Sequence, residues 1–165
     1  MNIMNKYEDL ELCKKCGGGC CKRMGCHFSP DDFAEITYES LKSKIDEGNI
    51  SIDWWEGDPT GNDKLSRAYF LRVRNKFAPI VDPSFGGICS LLTNDGCPLP
   101  FEKRPKGGRM LIPSETGCVL EYSKQQVAID WLEYTDILQR LYDEYIDTEV
   151  DEEYLNMILN LFKKD

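Results

Sequence analysis

Five of the eight cysteines in this 165-residue chain lie within the glycine-rich segment CKKCGGGCCKRMGCH, residues 13–27. The segment supplies Cys13, Cys16, Cys20, Cys21 and Cys26. A C-x2-C spacing is typical of metal sites, because the turn between the two cysteines brings both sulfurs to bonding distance, about 2.3 Å for zinc. The intervening glycines leave the backbone free to fold closely around an ion. The segment therefore predicts thiolate coordination of a metal.

Three further cysteines, Cys89, Cys97 and Cys118, lie far along the chain and are candidates to complete the coordination. Eight thiolates can form two four-sulfur sites, which suits structural zinc. Four of them can instead hold one [4Fe-4S] cluster and leave the others for structure. Zinc is the first expectation and the cluster the alternative. His27, the single histidine, is open to two interpretations, as a metal ligand or as a surface or helix-capping residue.

Two other interpretations of the cysteines involve no metal. Free cysteine is among the most buried residue types, which suits Cys89 or Cys118 individually but not a glycine-rich cluster. The C-x2-C pair also occurs in thioredoxin-like dithiols, but here it does not lie between a strand and a helix of a βαβ unit. The first residues lack the basic and apolar regions of a secretory signal, so we expect a cytoplasmic protein whose thiols stay reduced.

The net charge of −9 and the pI near 4.7 disfavour a general nucleic-acid binder, which needs basic groups against the phosphates. No apolar run is long enough for a membrane span. The sequence has no nucleotide-binding glycine motif and no nucleophile motif beside its one histidine. These observations favour a binding role over catalysis. The metal would be structural or stored, and the partner would be another protein. The alternative is an iron–sulfur protein that transfers electrons or assists a modification enzyme.

The element pattern is α+β in a single domain, 1–165: helices flank a small, irregular β core that carries the cysteines. Ser29 and Pro30 begin a helix that ends near Gly48. Alternation predicts a half-buried strand over 69–77 with a basic outer face, and residues 94–96 predict a tight turn. Two helices occupy the C-terminal part, 119–165: one capped by Ser123 and one over 150–162.

Basic residues of that strand and of a later loop predict either a solvated surface or a patch for a phosphate or an acidic partner. They are Arg72, Arg74, Lys76, Lys103, Arg104, Lys106 and Arg109.

The pattern C-x2-C-x3-C-C at residues 13–21 resembles the YkgJ-like cysteine-cluster family, whose domains are described as zinc- or iron-chelating. The second half of the family pattern is matched by Cys89, Cys97 and the pair Arg104-Pro105, so the resemblance covers residues 13–118. The family usually has another cysteine shortly after the Arg-Pro pair. Here that stretch reads KGGR, and Cys118 follows later. The resemblance implies metal binding by the cysteines rather than a particular reaction.

Overall fold

The computed structural model describes residues 6–9, 11–12, 15, 25–83, 87–94, 96–115, 118–148 and 160–161. Cys13, Cys16, Cys20 and Cys21 lie outside the described residues, as does most of the helix predicted over 150–162. Residues 160–161 are helical.

The central sheet consists of two antiparallel strands, β1 (Ile50–Glu56) and β2 (Arg67–Val73). Their register pairs Ile50 with Val73 at one end and Glu56 with Arg67 at the other. Single bridges extend both edges of the sheet: His27 pairs with Arg72 beside β2, and Val81 pairs with Ile52 beside β1. Four segments therefore lie side by side. Because β2 is central among them, it is buried over nearly its whole length.

Four α-helices surround this sheet within the described residues: α1 (Tyr38–Lys44), α2 (Lys106–Arg109), α3 (Lys124–Asp130) and α4 (Thr135–Thr148). A second small antiparallel sheet pairs β3 (Leu111–Ile112) with β4 (Val119–Leu120). Apolar side chains of α1, α3 and α4 pack with those of β1 and β2 into one core. The fold class is α+β, as the sequence predicts.

The predicted helix after Ser29 is divided into two pieces. Ser29 does cap a first turn, Pro30–Asp32, because its side chain accepts from the Asp31 amide. The chain then becomes extended, and a second capping box at Thr37 and Ser40 begins α1. A wide helical turn, Ile45–Asn49, follows α1 and contains Gly48 at φ 100°. Two capping boxes lie close together and begin two separate helical segments, and only the first was predicted from the sequence.

Two other boundaries differ from the predicted ones. The strand ends at Val73 because a turn follows, with the Ala78 amide donating to the Asn75 carbonyl at 3.2 Å. Phe77 lies in that turn at φ 65° with 89% of its surface exposed, rather than in the core. The helix capped by Ser123 ends at Asp130, and a 3-10 turn, Leu132–Tyr134, separates it from α4.

Among the described residues, no helix has the length and apolar character to cross a membrane.

Candidate metal centre

Three cysteines from sequence-distant segments line one pocket. Cys26, Cys89 and Cys97 share this pocket, which encloses about 70 Å³. The rest of its wall is mainly apolar, with Arg104 as its one charged residue. The other lining residues are Val73, Leu91, Leu92, Leu99, Pro105, Gly108 and Leu111. Cys89, Cys97 and the Arg104-Pro105 pair therefore line one pocket together with Cys26.

Backbone pairing with β2 positions Cys26. The Val73 amide donates to the Cys26 carbonyl at 2.8 Å, and the Phe28 amide donates to the Leu71 carbonyl at 2.9 Å. The residue before Cys26 must be glycine, since a Cβ on Gly25 would lie 2.0 Å from the carbonyl oxygen of Val73. This close approach sets residues 25–28 directly against the strand.

Cys89 and Cys97 are held by separate short-range pairings. The segment of Cys89 is antiparallel to residues 74–76: the Lys76 amide donates to the Ile88 carbonyl at 2.6 Å, and the Ser90 amide donates to the Arg74 carbonyl at 2.8 Å. Cys97 follows a tight turn in which Thr93 and Gly96 exchange two backbone bonds of 3.0 Å. The predicted turn at 94–96 is therefore confirmed at its described residues, with Gly96 at φ 96°.

Helix α2 covers Cys26 and is tied to the same segment. The Gly107 amide donates to the His27 carbonyl at 2.9 Å, and a Cβ on Gly107 would lie 2.8 Å from that carbonyl oxygen. A Cβ on Gly108 would lie 3.3 Å from the Cys26 sulfur. The two glycines of KGGR therefore allow α2 to approach Cys26 closely.

The described thiols do not converge on a single point. Cys118 immediately precedes β4 and does not line the pocket, although Leu111 of the paired strand β3 does. Within the described part of the chain, no three histidine, cysteine, aspartate or glutamate side chains lie close enough together to hold one metal ion. The four cysteines at positions 13–21 fall outside the described residues, so half of the predicted ligands are not placed.

His27 lies on the opposite side of the strand from Cys26. Its side chain is 3% exposed and meets Phe70 edge to face, with ring centroids 5.3 Å apart. Burial, together with the positive charges of Arg72 and Lys124, lowers the pKa of His27 to about 4, so the ring is neutral at pH 7. Its Nε2 has no hydrogen-bond partner among the described residues. His27 is therefore neither a surface residue nor a member of the thiol pocket.

The predicted basic outer face of β2 is wrong at Arg72, whose side chain is fully buried. Its Nε donates to Asp53 Oδ2 at 3.1 Å, and its Nη2 donates to an Asp82 carboxylate oxygen. Lys124 lies 3.5 Å from the other oxygen of Asp53, so two positive groups meet two carboxylates. Burial raises the pKa of Asp53 against the opposing effect of those cations. The loop cations Lys106 and Arg109 also pair, with Asp130 and Asp32 respectively.

Gly25 and Asn75 hold the pocket together, although neither residue was predicted to do so from the sequence. The Gly25 amide donates to Asn75 Oδ1 at 2.7 Å in the interior, and Asn75 is the bridge partner of Cys89. A signal for Gly25 was present, because a glycine directly before a paired cysteine indicates close backbone approach. A single asparagine after a strand gives no comparable signal, since turns commonly contain this residue.

No family model matches this chain, and neither the characterised proteins nor the solved structures contain a similar one.

Proposed function

We propose that this protein binds metal through cysteine thiolates, with Cys26, Cys89 and Cys97 as the described part of the site. The proposal rests on one observation: these three cysteines line a single pocket, although Cys26 and Cys89 are 63 positions apart in the sequence. Isolated buried cysteines have no reason to gather in this way. In this proposal the metal is structural or stored, and the chain itself does not catalyse a reaction.

Chain length is compatible with ligands from the remaining candidate cysteines. Cys21 is five residues before Cys26, so a fully extended chain keeps it within about 18 Å of Cys26. At the other end of the cluster, Lys6 Nζ pairs with Glu121 Oε1 at 3.1 Å, directly after β4. The cluster is thus connected to the described fold on both sides, near Cys26 and near Cys118. This supports a site completed by Cys13, Cys16, Cys20 or Cys21.

The chemistry of the pocket suits a thiolate-bound metal. Thiolate ligands select zinc, copper(I) or iron–sulfur clusters over hard cations such as calcium and magnesium. The pocket wall is mainly apolar, and the guanidinium of Arg104 offers partial compensation for thiolate charge. Arg104 is itself fixed, because its Nε donates to the Leu99 carbonyl at 3.1 Å. Zinc remains the first candidate, held by four thiolates in a closed structural site.

An iron–sulfur cluster is the second candidate, and it is compatible with the lack of a three-ligand group for a single ion among the described residues. In a tetrahedral zinc site with bonds of about 2.3 Å, neighbouring sulfurs lie only about 3.8 Å apart. The three described cysteines instead surround an open pocket, and no three side chains of the described residues meet at ion-binding distance. A four-iron cluster allows its cysteine sulfurs to lie farther apart, because they bind different iron atoms. Electron transfer or assistance to a modification enzyme would then be the role.

The decisive experiment is anaerobic purification without added metal, followed by elemental analysis and a visible spectrum of the same sample. Zinc without a visible band supports a thiolate zinc site. Iron with matching acid-labile sulfide and absorption near 400 nm supports the cluster. A folded protein that contains neither metal, and takes up neither on reconstitution, would refute the proposed function.

Single Cys→Ser variants identify the ligands. We expect replacement of Cys26, Cys89 or Cys97 to lower the metal content by at least half, because each removes a thiolate from the pocket. Cys118→Ser is the matched control, since Cys118 does not line the pocket, and it should retain most of the metal. Equal losses in all four variants would contradict the assignment of the pocket as the site.

A further inference from the structure

Asn75 is a buried amide that uses only one end of its side chain. The residue is 1% exposed, and its Oδ1 accepts from the Gly25 amide at 2.7 Å. This bond fixes the orientation of the amide, so that the other end is the Nδ2 donor. Nδ2 has no hydrogen-bond partner among the described residues. A buried donor without an acceptor is unfavourable and requires an explanation.

The closest candidate acceptor by strand geometry is the Cys89 sulfur. Asn75 and Cys89 are directly opposite each other in an antiparallel bridge. The flanking bonds, Lys76 amide to Ile88 carbonyl and Ser90 amide to Arg74 carbonyl, make this a non-hydrogen-bonded pair. In such pairs the side chains lie on the same face and closest together, with Cβ atoms about 4.5–5.5 Å apart.

Asn75 lies next to the pocket rather than in its wall. Val73 lines the pocket and is two residues before Asn75, so the two side chains share a face. Gly87 packs against the amide: a Cβ at that position would lie 3.1 Å from Asn75 Cβ and 3.4 Å from Nδ2. Asn75 thus contacts the residue before Cys26 through one end, and its other end lies against Gly87, two residues before Cys89.

We propose that Asn75 is a positioning residue of the metal centre, whose Nδ2–H donates to the Cys89 thiolate when metal is bound. This inference rests on the proposed function. Hydrogen bonds to metal-bound sulfur hold the ligand in place and adjust the metal–sulfur bond. One asparagine side chain then sets the relative position of two thiolates, Cys26 through Gly25 and Cys89 directly. Nδ2 has no partner among the described residues because its proposed acceptor, the Cys89 sulfur, becomes a thiolate only when metal is bound.

A simpler role must be distinguished, in which Asn75 only holds Gly25 through Oδ1. Asn75→Asp separates the two roles, because aspartate keeps the oxygen that accepts from Gly25 and removes the donor. Asn49→Asp is the matched control: it introduces the same charge on an exposed residue whose Oδ1 accepts from the Ser90 hydroxyl at 3.1 Å, next to Cys89. Circular dichroism establishes that each variant is folded.

The readouts are zinc affinity by chelator competition and the thiolate-to-metal charge-transfer band of the cobalt(II)-substituted protein. We expect Asn75→Asp to weaken zinc binding about 10- to 100-fold, as loss of outer-shell partners does elsewhere. The charge-transfer band should move to lower energy, since a thiolate without its hydrogen bond is a better electron donor. Asn49→Asp should change neither. Wild-type affinity and an unshifted band in folded Asn75→Asp would overturn the inference.

A measurement on the unaltered chain covers the case in which Asn75→Asp does not fold. In ¹⁵N-labelled protein loaded with ¹¹³Cd, a hydrogen bond to a metal-bound thiolate gives a scalar coupling between the Asn75 side-chain proton and the metal. Observation of the coupling supports the inference, and its absence in cadmium-loaded protein overturns it. Failure of the wild-type chain to bind zinc, cobalt or cadmium would instead refute the proposed function, so the two failures are distinguishable.

Discussion

Gly25→Ala tests whether the close approach of residues 25–28 to β2 holds the pocket together. A Cβ at this position would lie 2.0 Å from the Val73 carbonyl oxygen and 2.7 Å from its carbonyl carbon. Both atoms belong to the backbone of a buried strand, so no side-chain rotation relieves the clash. The segment must therefore retreat from β2 by more than 1 Å to restore an ordinary contact of roughly 3.4 Å.

Three hydrogen bonds set the magnitude of the effect. They join Gly25 to Asn75 at 2.7 Å, Val73 to Cys26 at 2.8 Å and Phe28 to Leu71 at 2.9 Å. A retreat of about 1 Å stretches each one beyond hydrogen-bonding distance. Each lost bond costs about 1 kcal/mol, and more where a buried donor is left without an acceptor. We therefore expect the free energy of unfolding to fall by roughly 3–5 kcal/mol.

Urea denaturation followed by circular dichroism measures this loss, both in chelator and with zinc. In thermal unfolding the same loss corresponds to a fall in Tm on the order of 10 °C for a chain of this size. Gly57→Ala is the control, because it introduces strain at φ 83° but its Cβ meets nothing within 4 Å. It should cost only about 1 kcal/mol. A loss in Gly25→Ala no larger than in the control would refute the reasoning.

Two further predictions concern buried charge and backbone strain. Arg72→Met leaves Asp53 without its buried partner and should cost about 3–5 kcal/mol at pH 7. Lys44→Met, at an exposed ion pair, should cost about 0.5 kcal/mol or less in the same urea titrations. Because burial raises the pKa of Asp53, protonation favours the folded state, and the Arg72→Met deficit should shrink as the pH is lowered; a constant deficit contradicts this. Phe77→Asn relieves a φ of 65° at an exposed site and should raise Tm by a few degrees, and an unchanged or lower Tm would count against strain there.

Local signals in the sequence predicted local features of the fold. The Ser29 cap and the turn at 94–96 are present because each depends on neighbours within four residues. The extent of β2 and the exposure of its arginine were not predictable in the same way. Arg72 is buried because Asp53 and Asp82, 19 and 10 residues away, neutralise it in three dimensions. An alternating pattern alone cannot reveal such partners.

The same distinction applies to the candidate site. Cysteine type and spacing indicated which side chains can bind metal, and this remains a prediction for all eight. Spacing did not indicate that Cys26 lines one pocket with Cys89 and Cys97. That grouping depends on strand pairing across Asn75 and Val73, which are ordinary residues in the sequence. The close approach of α2 likewise depends on glycines that carry no metal chemistry.

Strand register explains how a candidate metal-binding thiol and a buried neutral imidazole occupy adjacent positions in the sequence. Cys26 and His27 point to opposite faces because successive side chains alternate in an extended segment. A slip of one residue would move the Cys26 thiol next to Arg72 and its carboxylate partners, and would move the neutral imidazole of His27 into the apolar pocket. Gly25 opposes such a slip, because its position against the Val73 carbonyl accepts no side chain and its amide is already bonded to Asn75. The register of this short segment is therefore set by Gly25 and Asn75, and the placement of Cys26 in the thiol pocket depends on both.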